Sequence, residues 1–162
     1  MSIGFIGIVR RAYLGASVTW ALALPLATLA ASQPRDAPVI YWATFSVYAI
    51  GRIICHQLPD RSFHLWWAQM PVCARCTGIY TAAALTGLIS VVARRLQPSV
   101  ARSPKGFALL TPARARAILA LALLPTIATL LYEWTSGVTP SNTTRLVAGL
   151  PLGAAVSWIV IR

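Results

Sequence analysis

Long apolar runs, separated by short breaks rich in proline and arginine, set the pattern of this chain. Tyr13–Ala31 is the first run, preceded by Arg10 and Arg11 and followed by "SQPRDAP". Val39–Ile54 is the second, short and interrupted by Arg52 near its end. Val72–Ala93 is the third, and the basic stretch "RRLQPSVARSPKGFALLTPARAR" separates it from Ala117–Trp134 and Leu146–Ile161. A helix needs about 20 apolar residues to cross the hydrocarbon core, within a range of about 17–25. The pattern therefore predicts an all-α, polytopic transmembrane helix bundle of about five spans: 13–31, 39–54, 72–93, 117–134 and 146–161. Neither strand alternation nor an internal repeat interrupts it. Pro25, Pro125 and Pro151 fall inside spans, where a missing N–H kinks a helix. Gly149 and Gly153 form a small-xxx-small pair that allows close helix contact, unless they are two small residues among many.

Composition agrees. The 162 residues are 57% hydrophobic and 10% charged, against about 25% charged in a soluble domain. Mean hydropathy is +0.69. Residues 1–162 are expected to form a single integral membrane domain. The formal charge of +11, from 14 Lys+Arg against 3 Asp+Glu, would suggest nucleic acid in a soluble protein. Here the basic residues sit between apolar runs, so their expected partner is the lipid bilayer and not nucleic acid.

Charge also predicts sidedness. Loop 94–116 carries Arg94, Arg95, Arg102, Lys105, Arg114 and Arg116 and no acid, which places it in the cytoplasm of a cell (plasma or inner) membrane. The 55–71 and 135–145 loops then lie on the opposite side, and the first span starts there too. Arg10, Arg11, the apolar run and "TLAAS" resemble a cleaved signal peptide. Cleavage would push the basic loop outside, so an uncleaved first helix is expected.

The reactive side chains are concentrated. "CHQLPDRSFHLWWAQMPVCARCTGIY", residues 55–80, holds all three cysteines and both histidines. "CARCTG" has the shape of a zinc knuckle, in which a turn brings two thiolates to one ion. Cys55 and His56 upstream complete a candidate zinc set with Cys73 and Cys76, and His64 or Glu133 are alternatives for one position. An open fourth position would make the site catalytic, with His56 and Glu133 as the candidates for chemistry. Redox chemistry is the competing reading: Cys73 at a helix N-terminus, Cys76 resolving it and Cys55 shuttling. Small buried apolar cysteines are the plainest alternative. Trp66, Trp67 and His64 read as headgroup-level residues.

The same face gathers cations. Two spans begin there, each offering free N–H groups and a partial positive charge. Arg52, Arg61, Arg75 and Arg145 join them, and Ser141, Asn142 and Thr143 are natural N-caps for the fifth span. This face is expected to bind an anion through Arg52, Arg61, Arg75, Asn142 and Arg145. Glu133, an acid inside a predicted span, needs a partner such as one of these arginines or a chemical role.

"CHQLPDRSF" followed by "MPVCARCTGIY" resembles the signature of domain of unknown function 2085, a group of small bacterial and archaeal membrane proteins. Glu133, "SNTTRLVAG" and Gly153 extend the likeness over roughly residues 50–155. The resemblance implies a multi-span membrane protein with Cys55, His56, Gln57, Arg61, Ser62, Cys73, Arg75, Cys76, Gly78 and Tyr80 at signature positions. It implies no activity. Three readings follow from the residues: a metal site facing an anionic lipid or polyprenyl phosphate, a membrane thiol-disulfide oxidoreductase, and a non-enzymatic assembly subunit with a structural metal.

Overall fold

The computed structural model describes residues 3–34, 37–96 and 111–162. Among these, five helices form: α1 (Ile3–Ser32), α2 (Pro38–Ile54), α3 (Ala74–Leu96), α4 (Pro112–Ser136) and α5 (Asn142–Ile161). The protein is the expected polytopic helix bundle. Four helices, α1, α3, α4 and α5, are long and apolar enough to cross a membrane, while α2, at 17 residues, is shorter. Residues 97–110, with Arg102 and Lys105 of the basic loop, lie outside the described residues.

The helices run past the apolar segments that predict them. α1 begins at Ile3 and not Tyr13, so Arg10 and Arg11 lie within it, and α4 begins at Pro112, taking in Arg114 and Arg116. Arginine stems pack along apolar surface while the charged ends reach water, so hydrogen bonding continues until a cap intervenes. Thr111 caps α4 by accepting the Arg114 N–H at 3.3 Å, and Ser141 caps α5 by accepting the Thr144 N–H at 3.1 Å. Gly137, at φ +69°, ends α4 in the left-handed conformation that glycine adopts freely.

Packing fixes the direction of every helix. Leu14 lies against Gly87, the Trp20 and Tyr80 rings meet edge to face at 6.1 Å, and Leu24 shares a core cluster with Val72. α1 is therefore antiparallel to α3, and its N-terminal half lies where Arg94 stands near Arg10 and Arg162 and donates to the Ile161 carbonyl. The expectation that the first span starts at the cysteine end is reversed. It assumed that every apolar run crosses. α2 instead starts beside the C-terminal end of α1, with Tyr41 and Phe45 near Ala31, and ends at Cys55. Arg10 and Arg11 thus join the basic end and do not oppose it.

α3 and α5 are parallel and closely packed. A Cβ on Gly78 would fall on the Leu146 carbonyl, one on Gly149 on the Arg75 carbonyl, and one on Gly153 on the Ile79 carbonyl. The small-xxx-small pair is thus a contact surface. α4 returns antiparallel, with the Thr126 hydroxyl donating to the Ala148 carbonyl at 2.8 Å. Between α2 and α3 the chain makes a 3-10 turn (Pro59–Arg61) and a two-stranded hairpin, β1 (His64–Leu65) against β2 (Ala68–Gln69). Strands of two residues are too short to show alternation. Trp66 and Trp67 form its tip with φ of 51° and 67°, unusual for bulky residues, and both are exposed.

Candidate metal and anion site

Three elements bring the cysteines together. α2 ends at Cys55, whose N–H bonds the Gly51 carbonyl at 2.9 Å in the last helical bond. Gly51 has no room for a Cβ, because the Pro71 carbonyl occupies that space. Gln57, at φ 49°, locks the return path by donating to the Tyr48 carbonyl at 2.9 Å and the Pro71 carbonyl at 2.6 Å. Cys73 immediately precedes α3 and Cys76 lies in its first turn, so spacing of three puts both sulfurs on one face. The Cys73 N–H donates to the Cys55 sulfur at 3.2 Å. All three sulfurs lie within 4.8 Å of one another, and among the described residues they form the group able to hold a metal ion. Leu24, Met70 and Val72 back Cys55 in the core. The Cys73 and then the Cys76 thiol donate to the Cys55 sulfur and hold its pKa far below the usual thiol value.

The predicted ligand set is brought together in part. Cys55, Cys73 and Cys76 converge. His56 is exposed and stands outside that group, though it lines the adjoining cavity. His64 is exposed on β1. Glu133 is occupied elsewhere.

That cavity, of about 170 Å³, is lined by Cys55, His56, Leu58, Arg61, Cys73, Arg75 and Arg145. Arg75 and Arg145 lie in the first turns of α3 and α5, where a cation opposes the helix dipole and requires negative charge nearby. Glu133 supplies one unit: its Oε1 accepts from Arg61 at 2.6 Å and from Arg145 at 2.9 Å. Glu133 is 6% exposed and Arg145 2%. The Arg75 guanidinium donates to the Thr129 hydroxyl at 3.1 Å. Asn142 donates to the Ser62 carbonyl at 3.0 Å, pinning the 55–73 loop onto α5. Arg52 is exposed and lines a separate shallow pocket with His56, apart from the other arginines.

Nε and Nη1 of Arg145 and the Nε of Arg75 are buried without a hydrogen-bond partner, as is the Oε2 of Glu133, while the buried Nε of Arg61 stands 3.9 Å from Asp60. Arg61 and Arg145 thus share the Glu133 carboxylate, Arg61 has Asp60 as well, and Arg75 rests on the neutral Thr129 hydroxyl. Sequence reasoning named Arg61, Arg75, Arg145 and Glu133, but it missed Thr129 and the loop-shaping bonds in which the Tyr48 hydroxyl donates to the Gln69 carbonyl and the Gln69 amide donates to the Gln57 carbonyl at 2.6 Å. Neutral polar residues carry no periodic or charge signal that would reveal them.

No solved structure matches the chain. An uncharacterized protein of Methanothermobacter thermautotrophicus is 34% identical over 110 residues, 65% of this chain and 83% of that protein. An uncharacterized protein of Methanocaldococcus jannaschii is 49% identical over 51 residues. That match spans 30% of this chain and only 32% of that relative. A family model described as "Predicted membrane protein (DUF2085)" matches residues 55–159, which includes the cysteines, the arginine cavity and helices α3 to α5. The chain belongs to the DUF2085 family of membrane proteins.

Proposed function

We propose that this membrane protein holds a divalent metal ion, zinc by its donor set, on Cys55, Cys73 and Cys76, next to a cavity that takes an anionic group. The convergence of three sulfurs within 4.8 Å, from two segments of chain, carries the reading. Thiolates are the ligands zinc favours, and they bind deprotonated. Three thiolates and a +2 ion leave a charge of about −1, which the arginines offset at short range. A disulfide between Cys73 and Cys76 would leave the partnerless guanidinium atoms of Arg75 and Arg145 unexplained. Oxidoreductase chemistry stays the second reading, because Cys73 meets Cys55 at the N-terminus of α3. Zinc analysis of protein purified in detergent separates the two: one zinc per chain supports the metal site, and a metal-free Cys73–Cys76 disulfide supports the oxidoreductase.

In a bilayer the abundant anion at this depth is a lipid or polyprenyl phosphate, and we take that headgroup as the ligand class. The basic end, with Arg10, Arg11, Arg94 and Arg95, faces the cytoplasm, and the cysteine end faces the other side of the cell membrane. α1, α3, α4 and α5 then cross, while α2 stays at the outer surface. Its exposed Val39, Ile40, Trp42 and Phe45 and the Trp66–Trp67 tip support that placement, since aromatic residues favour the headgroup level.

A further inference from the structure

Three thiolates leave a tetrahedral ion one position short. In this protein two of the three, Cys55 and Cys73, line the same cavity as Arg61, Arg75 and Arg145. Arg145 is 2% exposed, places one N–H on Glu133 and leaves Nε and Nη1 unpartnered, and Arg75 leaves its buried Nε unpartnered as well. A buried donor without an acceptor costs about 1–3 kcal/mol, and more when charged. The cavity, at about 170 Å³, is an order of magnitude larger than the ~10–15 Å³ that one water needs. Charge is balanced before any anion enters: Arg61, Arg75 and Arg145 stand against Glu133, Asp60 at 3.9 Å from the Arg61 Nε, and a thiolate-bound ion of about −1, so the unpartnered buried donors, and not a net positive charge, call for an acceptor. His56 stands on the wall, exposed and outside the sulfur group.

We propose, resting on the metal reading above, that the fourth position on the ion belongs to an oxygen of a phosphate group seated against Arg75 and Arg145, and that His56 is not a ligand. The anion then bridges metal and arginines. It satisfies the buried guanidinium donors with oxygens and closes the coordination sphere in the same step. A site closed by exchangeable ligand binds its anion reversibly, unlike a purely structural Cys3His site. A phosphate monoester on a lipid and free inorganic phosphate offer the same oxygens, so the experiment includes both.

The full-length protein in detergent micelles, loaded with Co²⁺ in place of zinc, reports this directly. Thiolate-to-cobalt charge-transfer bands report the sulfurs, and d–d bands report the fourth ligand. Titration with inorganic phosphate, or with short-chain phosphatidic acid, should shift the d–d bands saturably and leave the charge-transfer bands in place. A response to phosphatidic acid alone assigns a lipid headgroup, and a response to both assigns the phosphate moiety itself. His56→Ala should keep both sets of bands and the anion response. Arg75→Ala should keep cobalt but weaken the anion at least tenfold, the loss of one charge-assisted contact of about 1.4 kcal/mol. Arg75→Lys serves if that variant does not fold, and should weaken the response to a smaller degree. Unchanged d–d bands with either anion overturn the proposal, as does loss of the tetrahedral d–d pattern in His56→Ala. Absence of charge-transfer bands before any anion is added overturns the metal reading itself, and this proposal with it.

Discussion

Replacing Glu133 by glutamine probes the electrostatics at the heart of the site while keeping side-chain shape. One oxygen, Oε1, now accepts from Arg145 at 2.9 Å and Arg61 at 2.6 Å. Glutamine leaves Arg145 without its carboxylate, at the positive end of α5, while Arg61 keeps Asp60 at 3.9 Å. Arg145 and Glu133 are 2% and 6% exposed, so Arg145 cannot turn to water. Removing one partner of such a buried pair costs about 3–5 kcal/mol. The Arg61 side chain is 38% exposed, so solvent screens its share and the Arg145 pair dominates. At roughly 2–4 °C per kcal/mol, Glu133→Gln should lower the melting temperature in detergent by on the order of 10 °C. The double variant Glu133→Leu with Arg145→Met removes both charges and should melt closer to the native protein than Glu133→Gln does. Inorganic phosphate in the buffer should restore part of the loss, by supplying the missing negative charge. Melting of Glu133→Gln within about 2 °C of the native protein, in phosphate-free buffer, would refute the reasoning.

Three further outcomes follow from the same geometry. Gly153→Leu should separate α3 from α5, because its side chain meets the Ile79 carbonyl, at a cost above the 1–3 kcal/mol of ordinary overpacking; Gly15→Ala, in open space, should leave melting unchanged. Membrane-impermeant thiol reagents should label Phe5→Cys and Val138→Cys, above the background of the unsubstituted protein, from opposite sides of oriented vesicles. Labelling of both from one side would contradict four crossings. Chelation of the ion should lower the melting temperature of the native protein but not that of Cys73→Ser, measured by the same thermal assay.

The helical content and the clustering of reactive groups were legible because both rest on strong local signals. Apolar runs of span length have few other outcomes, and three cysteines within residues 55–76 of a 162-residue chain are a local concentration. The packing role of Gly149 and Gly153 was half legible: spacing proposed the contact, but only the parallel approach of α3 shows which carbonyls fill the space. Direction was the weakest reading. Hydropathy marks Val39–Ile54 as apolar without saying whether it crosses, and that single ambiguity reversed α1. Arg52 and Arg145 look alike in sequence, yet one is exposed and the other is 2% exposed beside Glu133. Which arginines enter the cavity depends on long-range pairing across α4 and α5, and residues twelve positions apart in different helices leave no local pattern.

Whether the three cysteines hold one metal ion together decides the chemistry of this site. Elemental analysis of the full-length protein, purified in detergent without added metal or reductant and combined with free-thiol counting, tests that most directly. It should find close to one zinc per chain, lost in Cys55→Ser, Cys73→Ser and Cys76→Ser and retained in His56→Ala. Protein free of metal, with Cys73 and Cys76 joined as a disulfide, would rule out the metal site and assign the cysteines to thiol-disulfide exchange.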